Sequence, residues 1–395
     1  MWIVGIDIAK HNHEAFVLDD SGNPVGASFS FTNTESGVDR LLSQIKKRNK
    51  SGEPVEFGME ATGHYWIALY TQLIAAGFQV HVLNPIQTDS FRKSRICQTK
   101  TDAIDSEIIA EVIRYGHYSE TAFLHPELMA LRELCRYRFT LVDNTSDLKR
   151  RVISMMDQIF PEYESLFSNM FGHSSKTILE ELTSPEEILS INVDHLAQLL
   201  ERVSKGRLSH EKAVLLHDTA AHSIGIHLGS DAFVFAIRQS IEHIRFLEGQ
   251  IHDLDERISG TYLMFSSTLD TIPGIGKVLA ACIFSEIGDI GAFENCHKLV
   301  AYAGVDPTVH QSGNFTGSKN HMSKRGSPYL RRSVWLAASV AAFHDPVMMA
   351  FYQKKRLEGK PHGVALGAVC RKMLYLIFAI MKTGQPYHPP LATTS

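Results

Sequence analysis

Four carboxylates in the first 105 residues are placed where they could carry out chemistry together. Asp7 lies inside the apolar run 2–8, Glu60 closes a second strand-like run, and Asp102 and Asp105 stand at the start of a helical stretch. A carboxylate in a buried strand costs free energy unless a partner neutralises it. Mg²⁺ prefers oxygen ligands and is shared between a few carboxylates and substrate phosphates. We therefore predict that these four residues form a catalytic Mg²⁺ site for phosphoryl transfer on a nucleic acid.

The spacing of the four residues supports this prediction. A separation of three residues places Asp102 and Asp105 on the same side of a helix. Two metal ions about 3.5–4 Å apart can activate an attacking oxygen and stabilise the leaving one. Taken singly, Asp7 could be a turn residue, Glu60 a surface residue, and the other two first-turn acids favoured by the helix dipole. The combination of all four favours the metal site.

A polar loop near the C-terminus, residues 310–319, contains a candidate nucleophile. Ser312 precedes a glycine in a segment, 307–344, that has no Asp or Glu. Serine is a weak nucleophile unless a base, a metal or a cationic environment activates it. Ser312 could attack a phosphodiester, whereas most loop serines cap turns or bind phosphates, and on the residues alone both roles stay open.

Two basic patches adjoin these groups, although the whole chain carries a net charge of −4. That balance argues against a protein that simply coats nucleic acid. We predict that both patches contact phosphates, with a solvated surface as the ordinary alternative. One patch contains Lys319, Lys324, Arg325, Arg331 and Arg332, and the other contains Arg92, Lys93, Arg95 and Lys100.

The elements that must position the carboxylates follow a defined order. Apolar alternation and turn residues predict strands at 2–8, 14–19, 25–31, 54–59 and 79–83, and helices at 35–48, 64–76 and 102–115. Three antiparallel strands followed by alternating helices and strands predict a mixed sheet with helices packed on it. This is the order of a ribonuclease-H-like α/β domain.

The middle of the chain, about residues 127–262, is predicted to be helical. Two sets of apolar residues keep heptad or helical spacing. These are Leu131, Leu134, Leu141 and Leu148, and then Ile241, Ile244, Leu247, Ile251, Leu254 and Ile258. They favour two long helices packed as an antiparallel pair or coiled coil, a common device for dimerisation. The insert between them, about 160–235, is polar and carries no recognisable chemistry, and its histidines are most simply surface residues.

The mainly α C-terminal part begins with a stretch, residues 269–280, that has the pattern of a helix-hairpin-helix. Gly274 and Gly276 would let backbone N–H groups approach a phosphate at the start of the second helix, beside Lys277. Such hairpins usually hold the DNA backbone without reading its sequence. The alternative is a plain corner between two helices.

Length and composition bound the class of protein. A chain of 395 residues predicts two or three domains. Its five cysteines form no C-x-x-C pair and no zinc spacing, which favours a reducing cytosol. Because the chain begins with a strand and charged residues interrupt its longest apolar stretches, we expect neither a signal peptide nor a membrane span.

Several motifs resemble the DEDD transposases of bacterial insertion sequences, of the IS-one-ten type. The resemblance covers about residues 1–150 and 265–380. It is carried in the first part by Gly5-Ile6-Asp7-Ile8-Ala9-Lys10, Glu60-Ala61-Thr62-Gly63-His64-Tyr65-Trp66, Asn84-Pro85 and Lys100-Thr101-Asp102-Ala103-Ile104-Asp105. It is carried in the second part by Ile272-Pro273-Gly274-Ile275-Gly276, Ala301-Tyr302-Ala303-Gly304-Val305-Asp306-Pro307, Ser312-Gly313 and Ser323-Lys324-Arg325-Gly326.

The resemblance implies a RuvC-like N-terminal domain in which the four predicted carboxylates bind Mg²⁺. It also implies a C-terminal transposase domain with a nucleophilic serine, which falls on Ser312, with Ser323 as the second choice. That serine would form a covalent phosphoserine link to a cut DNA strand. We expect domains at 1–126 (RuvC-like), 127–264 (helical coiled coil with a polar insert) and 265–395 (transposase domain with the hairpin and the serine loop).

The resemblance also implies partners. Members of this family act as homo-oligomers whose active site is composed from two protomers, and a structured RNA encoded by the element selects donor and target DNA. We therefore expect element-end and target DNA, a guide RNA, a dimer or tetramer, and a nucleoid-associated location in the bacterial cytoplasm. The long middle insert departs from compact members and leaves its own contacts open.

Three other functions fit part of the pattern. A RuvC-like endonuclease or junction resolvase would use the carboxylates without a covalent intermediate. An actin-like sugar kinase or ATPase would explain Gly5-Ile6-Asp7-Ile8, but the chain has no second glycine-rich phosphate loop. A non-catalytic DNA-binding adaptor would leave four carboxylates to repel DNA phosphates unless a metal ion lay between them.

Overall fold

The chain divides into two units, Met1–Phe123 and Leu124–Ser395. A computed structural model describes residues 1–61, 63–94, 101–116, 118, 126–227, 229–307, 311–312, 315–316 and 321–389. The fold is α/β in the first unit and mainly helical in the second.

A five-stranded mixed sheet forms the centre of the first unit, with the strand order β3-β2-β1-β4-β5. The strands are β1 (Trp2–Asp7), β2 (Asn12–Asp19), β3 (Phe29–Thr32), β4 (Val55–Glu60) and β5 (Gln79–Leu83). The first three strands pair antiparallel, and β1, β4 and β5 pair parallel. The predicted mixed sheet with helices is confirmed, although the third strand begins at Phe29 rather than at residue 25.

The described part of the first unit also contains four helices: α1 (Glu35–Arg48), α2 (Trp66–Ala75), α3 (Pro85–Ser94) and α4 (Asp102–Tyr115). The sequence pattern predicted three of them and missed α3, whose charged and polar residues lack a clear apolar period. Pro85 suits the first position of a helix because its missing N–H would have no intrahelical partner there.

Two glycines allow α4 to pack closely on the sheet. A Cβ added to Gly5 of β1 would lie 2.1 Å from the backbone oxygen of Ser106, and one added to Gly58 of β4 would lie 1.7 Å from Cδ1 of Ile113. The register places these two glycines side by side. This face of β1 and β4 is therefore the one that α4 covers.

Two long antiparallel helices, α5 (Pro126–Ile159) and α10 (Ser230–Tyr262), begin the second unit, as predicted. Arg138 forms an ion pair with Asp255, and Lys149 pairs with Glu248 at 2.9 Å, so later positions of α5 meet earlier positions of α10. Between them lie α6 (His173–Glu181), α7 (Pro185–Leu189), α8 (Val193–Ser204) and α9 (His210–Ala221). The insert is thus a helical bundle, and its core includes Tyr163, Ile188 and Leu196.

The other α-helices and strands that the structure describes are α11 (Lys277–Ile287), α12 (Cys296–Ala303), β6 (Gln311–Ser312), β7 (Phe315–Thr316), α13 (Pro328–His344), α14 (Pro346–Leu357) and α15 (His362–Thr383). Their core includes Leu131 and Leu254 of the long helices, so the two parts of the unit are joined through α5 and α10.

The apolar helices at the C-terminus pack into this core. Among the described residues, α15 alone is long and apolar enough to cross a membrane by length and composition, but Leu366, Val369 and Met373 on it are buried in the unit. The helices α13 and α14 meet at an angle of 93°, next to Asp345. These helices are accounted for as core helices.

Candidate active site

Asp7 and Glu60 end neighbouring parallel strands on the same face of the sheet. The pairing of Ile6 with Met59 brings the ends of β1 and β4 level. Because side chains alternate along a strand, Asp7 shares the face of Gly5, and Glu60 shares the face of Gly58. Both acids are half-buried, and both lie on the face that α4 covers. In open α/β sheets, ligands bind beyond the carboxyl ends of the strands.

The helix α4 carries the other two predicted carboxylates in its first turn. Asp105 is 9% exposed, whereas Asp102 is exposed to solvent. Thr101 caps the helix, since its side-chain oxygen accepts a hydrogen bond from the Ile104 N–H at 3.3 Å. The cap fixes where the helix begins, and Asp105 follows Thr101 by one turn with its backbone N–H bonded to the Thr101 oxygen.

Sequence reasoning missed a carboxylate that lies across from Asp7. Glu14 of β2 is the direct antiparallel partner of Asp7 and is half-buried. Residues directly opposite in such a pair have Cβ atoms about 4.5–5.5 Å apart, and like charges there are destabilising. Glu14 follows Asp7 by seven residues, across a predicted turn, and this spacing could have indicated that the two residues pair.

His13 holds the segment that follows Asp7. Its Nδ1 accepts a hydrogen bond from the backbone N–H of Ala9 at 3.2 Å. Burial lowers the pKa of His13, which keeps the ring neutral at pH 7 as this acceptor role requires. The end of β1 is thereby tied to β2.

The helix α3 supplies polar groups to two of the four carboxylates. The Thr88 hydroxyl donates a hydrogen bond to Glu60 at 2.5 Å, and Nη2 of Arg92 lies 2.6 Å from Oδ1 of Asp105. The structure thus brings Glu60 and Asp105 under one helix that sequence reasoning had not predicted. Among the residues described, no three His, Cys, Asp or Glu side chains are grouped closely enough to hold a metal ion.

The basic patch ahead of Asp102 is only partly described. Arg92 is engaged with Asp105, and Lys93 pairs with Asp89 on the exposed surface. Arg95 and Lys100 lie outside the described residues. The prediction that this patch contacts nucleic acid is untested.

Ser312 lies in the second unit, at the end of β6. Its backbone pairs with Phe315 of β7, and Gln311 pairs with Thr316, so the two short strands form an antiparallel ribbon. The side chain of Ser312 and all of Lys319 lie outside the described part of the chain. The role of Ser312 as the nucleophile therefore stays a prediction.

The segment that contains Ser323 is anchored to residues 302–306. The Ser323 hydroxyl donates a hydrogen bond to the Asp306 carboxylate, and its N–H bonds the Asp306 oxygen at 2.8 Å. A Cβ on Gly326 would lie 1.7 Å from the Tyr302 oxygen, so only glycine allows this approach. The turn leaves Lys324 and Arg325 exposed to solvent.

A buried carboxylate, Glu286 of α11, supports the same turn. It is 1% exposed and accepts two hydrogen bonds from Arg136, at 2.7 and 3.2 Å, and one from the Ser327 hydroxyl at 2.7 Å. Burial disfavours the charge on Arg136, but the bond to Glu286 outweighs it and raises the pKa of Arg136. Ser327 also caps α13, because it accepts from the Leu330 N–H at 3.1 Å.

The two arginines of α13 are engaged within the protein. Arg332 makes two hydrogen bonds to Asp143, at 2.8 and 2.7 Å, and lies over the Phe139 ring. Arg331 donates to the Ala303 oxygen at 3.2 Å. Of the predicted phosphate-binding residues in this patch that the structure describes, Lys324 and Arg325 are thus the better exposed.

The predicted hairpin has a different local structure from two full helices. A single 3₁₀ turn, Leu269–Thr271, precedes α11. Gly274 has φ +92°, and a Cβ there would lie 2.5 Å from the Ala337 oxygen, so packing on α13 already explains this glycine. Gly276 and Lys277 are exposed at the start of α11. Their contact with phosphate stays a prediction.

Comparison with known proteins identifies the family at both ends of the chain. Residues 4–161 match a family described as Transposase, and residues 266–353 match one described as Transposase IS116/IS110/IS902 family. The "Insertion element IS116 uncharacterized 44.8 kDa protein" of Streptomyces clavuligerus is 25% identical over 98% of this chain and 96% of its own length.

Two further relatives align over nearly their whole length. The "Insertion element IS900 uncharacterized 42 kDa protein" of Mycobacterium paratuberculosis is 24% identical over 99% of this chain and 98% of that protein. The "Pilin gene-inverting protein" of Moraxella bovis is 23% identical over 97% of each chain. The first matched region contains the four carboxylates, and the second contains the serine loop. The chain belongs to the IS110-type transposases and is an enzyme of DNA transposition or recombination.

Proposed function

We propose that this transposase cuts and rejoins the DNA strands of an insertion sequence through Ser312, assisted by Mg²⁺ at Asp7, Glu60, Asp102 and Asp105. The observation that carries the proposal is the arrangement of Asp7 and Glu60 side by side at the ends of parallel strands, with Asp105 on the helix that covers the same face. A relative named for pilin gene inversion suggests that strand exchange by inversion belongs to the same chemistry.

The donor chemistry of the four carboxylates suits a hard divalent cation, although no three of them are grouped closely enough in the described part of the structure to hold one. All four donors are carboxylate oxygens, the ligands that Mg²⁺ prefers. The guanidinium of Arg92 lies against buried Asp105, because a buried carboxylate needs a positive charge nearby. When bound, Mg²⁺ would offset the negative charge that develops on the attacked phosphate.

The serine would carry the covalent step. The Oγ of Ser312 attacks a backbone phosphorus, an Oγ–P bond forms as a P–O bond of the strand breaks, and the hydroxyl proton passes to a base or to water. The departing DNA oxygen becomes a hydroxyl group. Attack by another DNA hydroxyl on the phosphoserine then rejoins a strand and releases the serine. Ser323 is the second choice, and its bond to Asp306 supports an anchoring role instead.

The finer organisation belongs to the same proposal. We take the first domain as RuvC-like, the segment 269–280 as a phosphate-binding hairpin, and the domain boundaries as 126/127 and 264/265. A guide RNA encoded by the element would select DNA for a homodimer or tetramer that is nucleoid-associated in the cytoplasm. Exposed Lys324, Arg325 and Lys277 would contact nucleic-acid phosphates.

A denaturing gel for a covalent protein–DNA adduct tests the proposal. The full chain is incubated with Mg²⁺, element-end DNA and RNA transcribed from the flanking non-coding sequence. We expect an adduct in the wild type and in Ser323→Ala, and none in Ser312→Ala or Asp7→Asn. Chelation of Mg²⁺ should abolish it as well.

Other outcomes would redirect the proposal. Cleavage without an adduct that survives Ser312→Ala would indicate a metal-dependent endonuclease without a covalent intermediate. Loss of the adduct in Ser323→Ala alone would move the nucleophile to that serine. An adduct that persists in Asp7→Asn and with chelator would refute the metal site.

A further inference from the structure

Arg92 forms an ion pair with the most buried of the four carboxylates. Its Nη2 lies 2.6 Å from Oδ1 of Asp105, and the two side chains are 21% and 12% exposed. A buried carboxylate without compensation is costly, so the guanidinium stabilises Asp105 in its charged form when no metal ion is bound.

The same face of α3 also contacts a second carboxylate, Glu60 of β4. Thr88 precedes Arg92 by four residues, a spacing that places both side chains on one side of a helix. The Thr88 hydroxyl donates to Glu60 at 2.5 Å, and its oxygen lies 2.9 Å from the Pro85 oxygen. One short helix therefore supplies donors to two of the proposed metal ligands.

The bonding of Arg92 is incomplete. Its Nε is buried and has no hydrogen-bond partner among the residues described. Arginine binds a carboxylate most strongly through two parallel N–H···O bonds, as Arg332 does with Asp143. Arg92 instead uses one nitrogen on one oxygen and leaves a buried donor unsatisfied, which costs free energy. The contact supplies charge next to Asp105 without the geometry of a permanent bidentate pair.

We infer that Arg92 is a counter-ion of Asp105 in the metal-free chain, and that a divalent cation must displace it in order to bind. The inference rests on the proposed metal site. If a guanidinium and a divalent cation both contact the same carboxylate, they lie close enough to repel each other. Arg92 thereby sets how tightly the site holds its metal ion, a role different from the surface phosphate contact that the sequence predicted.

Calorimetric titration of the full chain with Mn²⁺ as the probe, in the absence of DNA, tests the inference. Arg92→Met removes the charge and keeps most of the side-chain volume. We expect it to bind Mn²⁺ about tenfold more tightly than the wild type, a coupling of ordinary size between two competing ligands. Arg92→Lys keeps the charge, so its affinity for Mn²⁺ should stay close to that of the wild type and below that of Arg92→Met.

A matched control comes from the far end of α4. Arg114→Met removes the same charge from an exposed position nine residues beyond Asp105, about 13 Å along the helix. Its affinity should stay at the wild-type value. Arg92→Gln is a second variant of different shape, and circular dichroism checks that each variant is folded.

The outcomes separate this inference from the metal site itself. Unchanged or weaker binding in both Arg92→Met and Arg92→Gln, with binding still lost in Asp7→Asn, overturns the role of Arg92 alone and makes it a fixed support for Asp105. Equal binding by the wild type and Asp7→Asn, or no binding by any variant, overturns both proposals. Binding that appears only after Arg92 is replaced supports displacement.

Discussion

Glu286 is a buried anion on which the turn with Lys324 and Arg325 depends. It joins Arg136 of α5 to Ser327, the residue that caps α13. Its backbone oxygen also accepts hydrogen bonds from Arg132 at 3.2 Å and from the Tyr302 hydroxyl at 3.1 Å. Through its side chain and its backbone oxygen, this one residue of α11 therefore connects α5, α12 and the start of α13.

Replacement of Glu286 by Ala should destabilise the second unit by about 3 kcal/mol, because removing one partner leaves a partly buried arginine uncompensated. Asp143→Ala breaks the more exposed pair with Arg332 and should cost less than about 1 kcal/mol. Urea unfolding followed by circular dichroism measures both. Equal losses would mean that the Glu286 network contributes no more than a surface pair.

At the scale of elements, the approach of α4 to β1 decides where Asp105 lies. The Cβ missing from Gly5 would meet backbone atoms of α4, the Ser106 oxygen at 2.1 Å and the Ala110 nitrogen at 2.5 Å. The Cβ missing from Gly58 would meet first the Cδ1 atom of Ile113, the end of a flexible side chain. Backbone cannot yield without moving the helix, whereas a side chain can adopt another rotamer.

We therefore expect Gly5→Ala to cost about 3 kcal/mol and Gly58→Ala about 1 kcal/mol, within the usual range for overpacking. Thermal unfolding of the two variants measures the difference. Gly5→Ala should also lower the rate of strand cleavage about 100-fold, as expected when a catalytic group moves by about 1 Å. A cleavage rate close to that of the wild type would show that α4 need not stay in place.

At the scale of the whole molecule, two compact units contain the two kinds of proposed chemistry. The carboxylates and their supporting helix belong to the first unit, and the serine loop with its basic turn belongs to the second. The chain is slightly acidic overall, so contact with DNA must come from local groups of exposed cations. Lys324 and Arg325 form such a group, whereas Arg331 and Arg332 are engaged with neighbouring helices.

The salt dependence of DNA binding distinguishes these two kinds of arginine. Arg325→Ala should reduce the slope of log K against log salt by about 1, since one phosphate contact is lost. Arg332→Ala should leave the slope unchanged, because its guanidinium already pairs with Asp143. Fluorescence anisotropy of a labelled duplex at several KCl concentrations measures both slopes. A reduced slope for Arg332→Ala would restore the phosphate contact that the sequence suggested for it.

The sequence by itself determined the features that depend on local spacing. Alternation located the strands that end at Asp7 and Glu60, and apolar periodicity located the long helices α5 and α10. The motifs are enough to indicate the transposase family without any tertiary contact. These features follow from residues a few positions apart, whose geometry is the same in any fold.

Only the tertiary structure decided which distant residues meet. It brought Glu14 opposite Asp7, Arg92 onto Asp105 and Gly274 against α13, and it buried the core of the insert that had looked merely polar. Strand register and helix packing depend on the whole path of the chain, so no local pattern encodes them. The residue proposed to compete with the metal ion, Arg92, lies on α3, the helix that the sequence pattern did not predict.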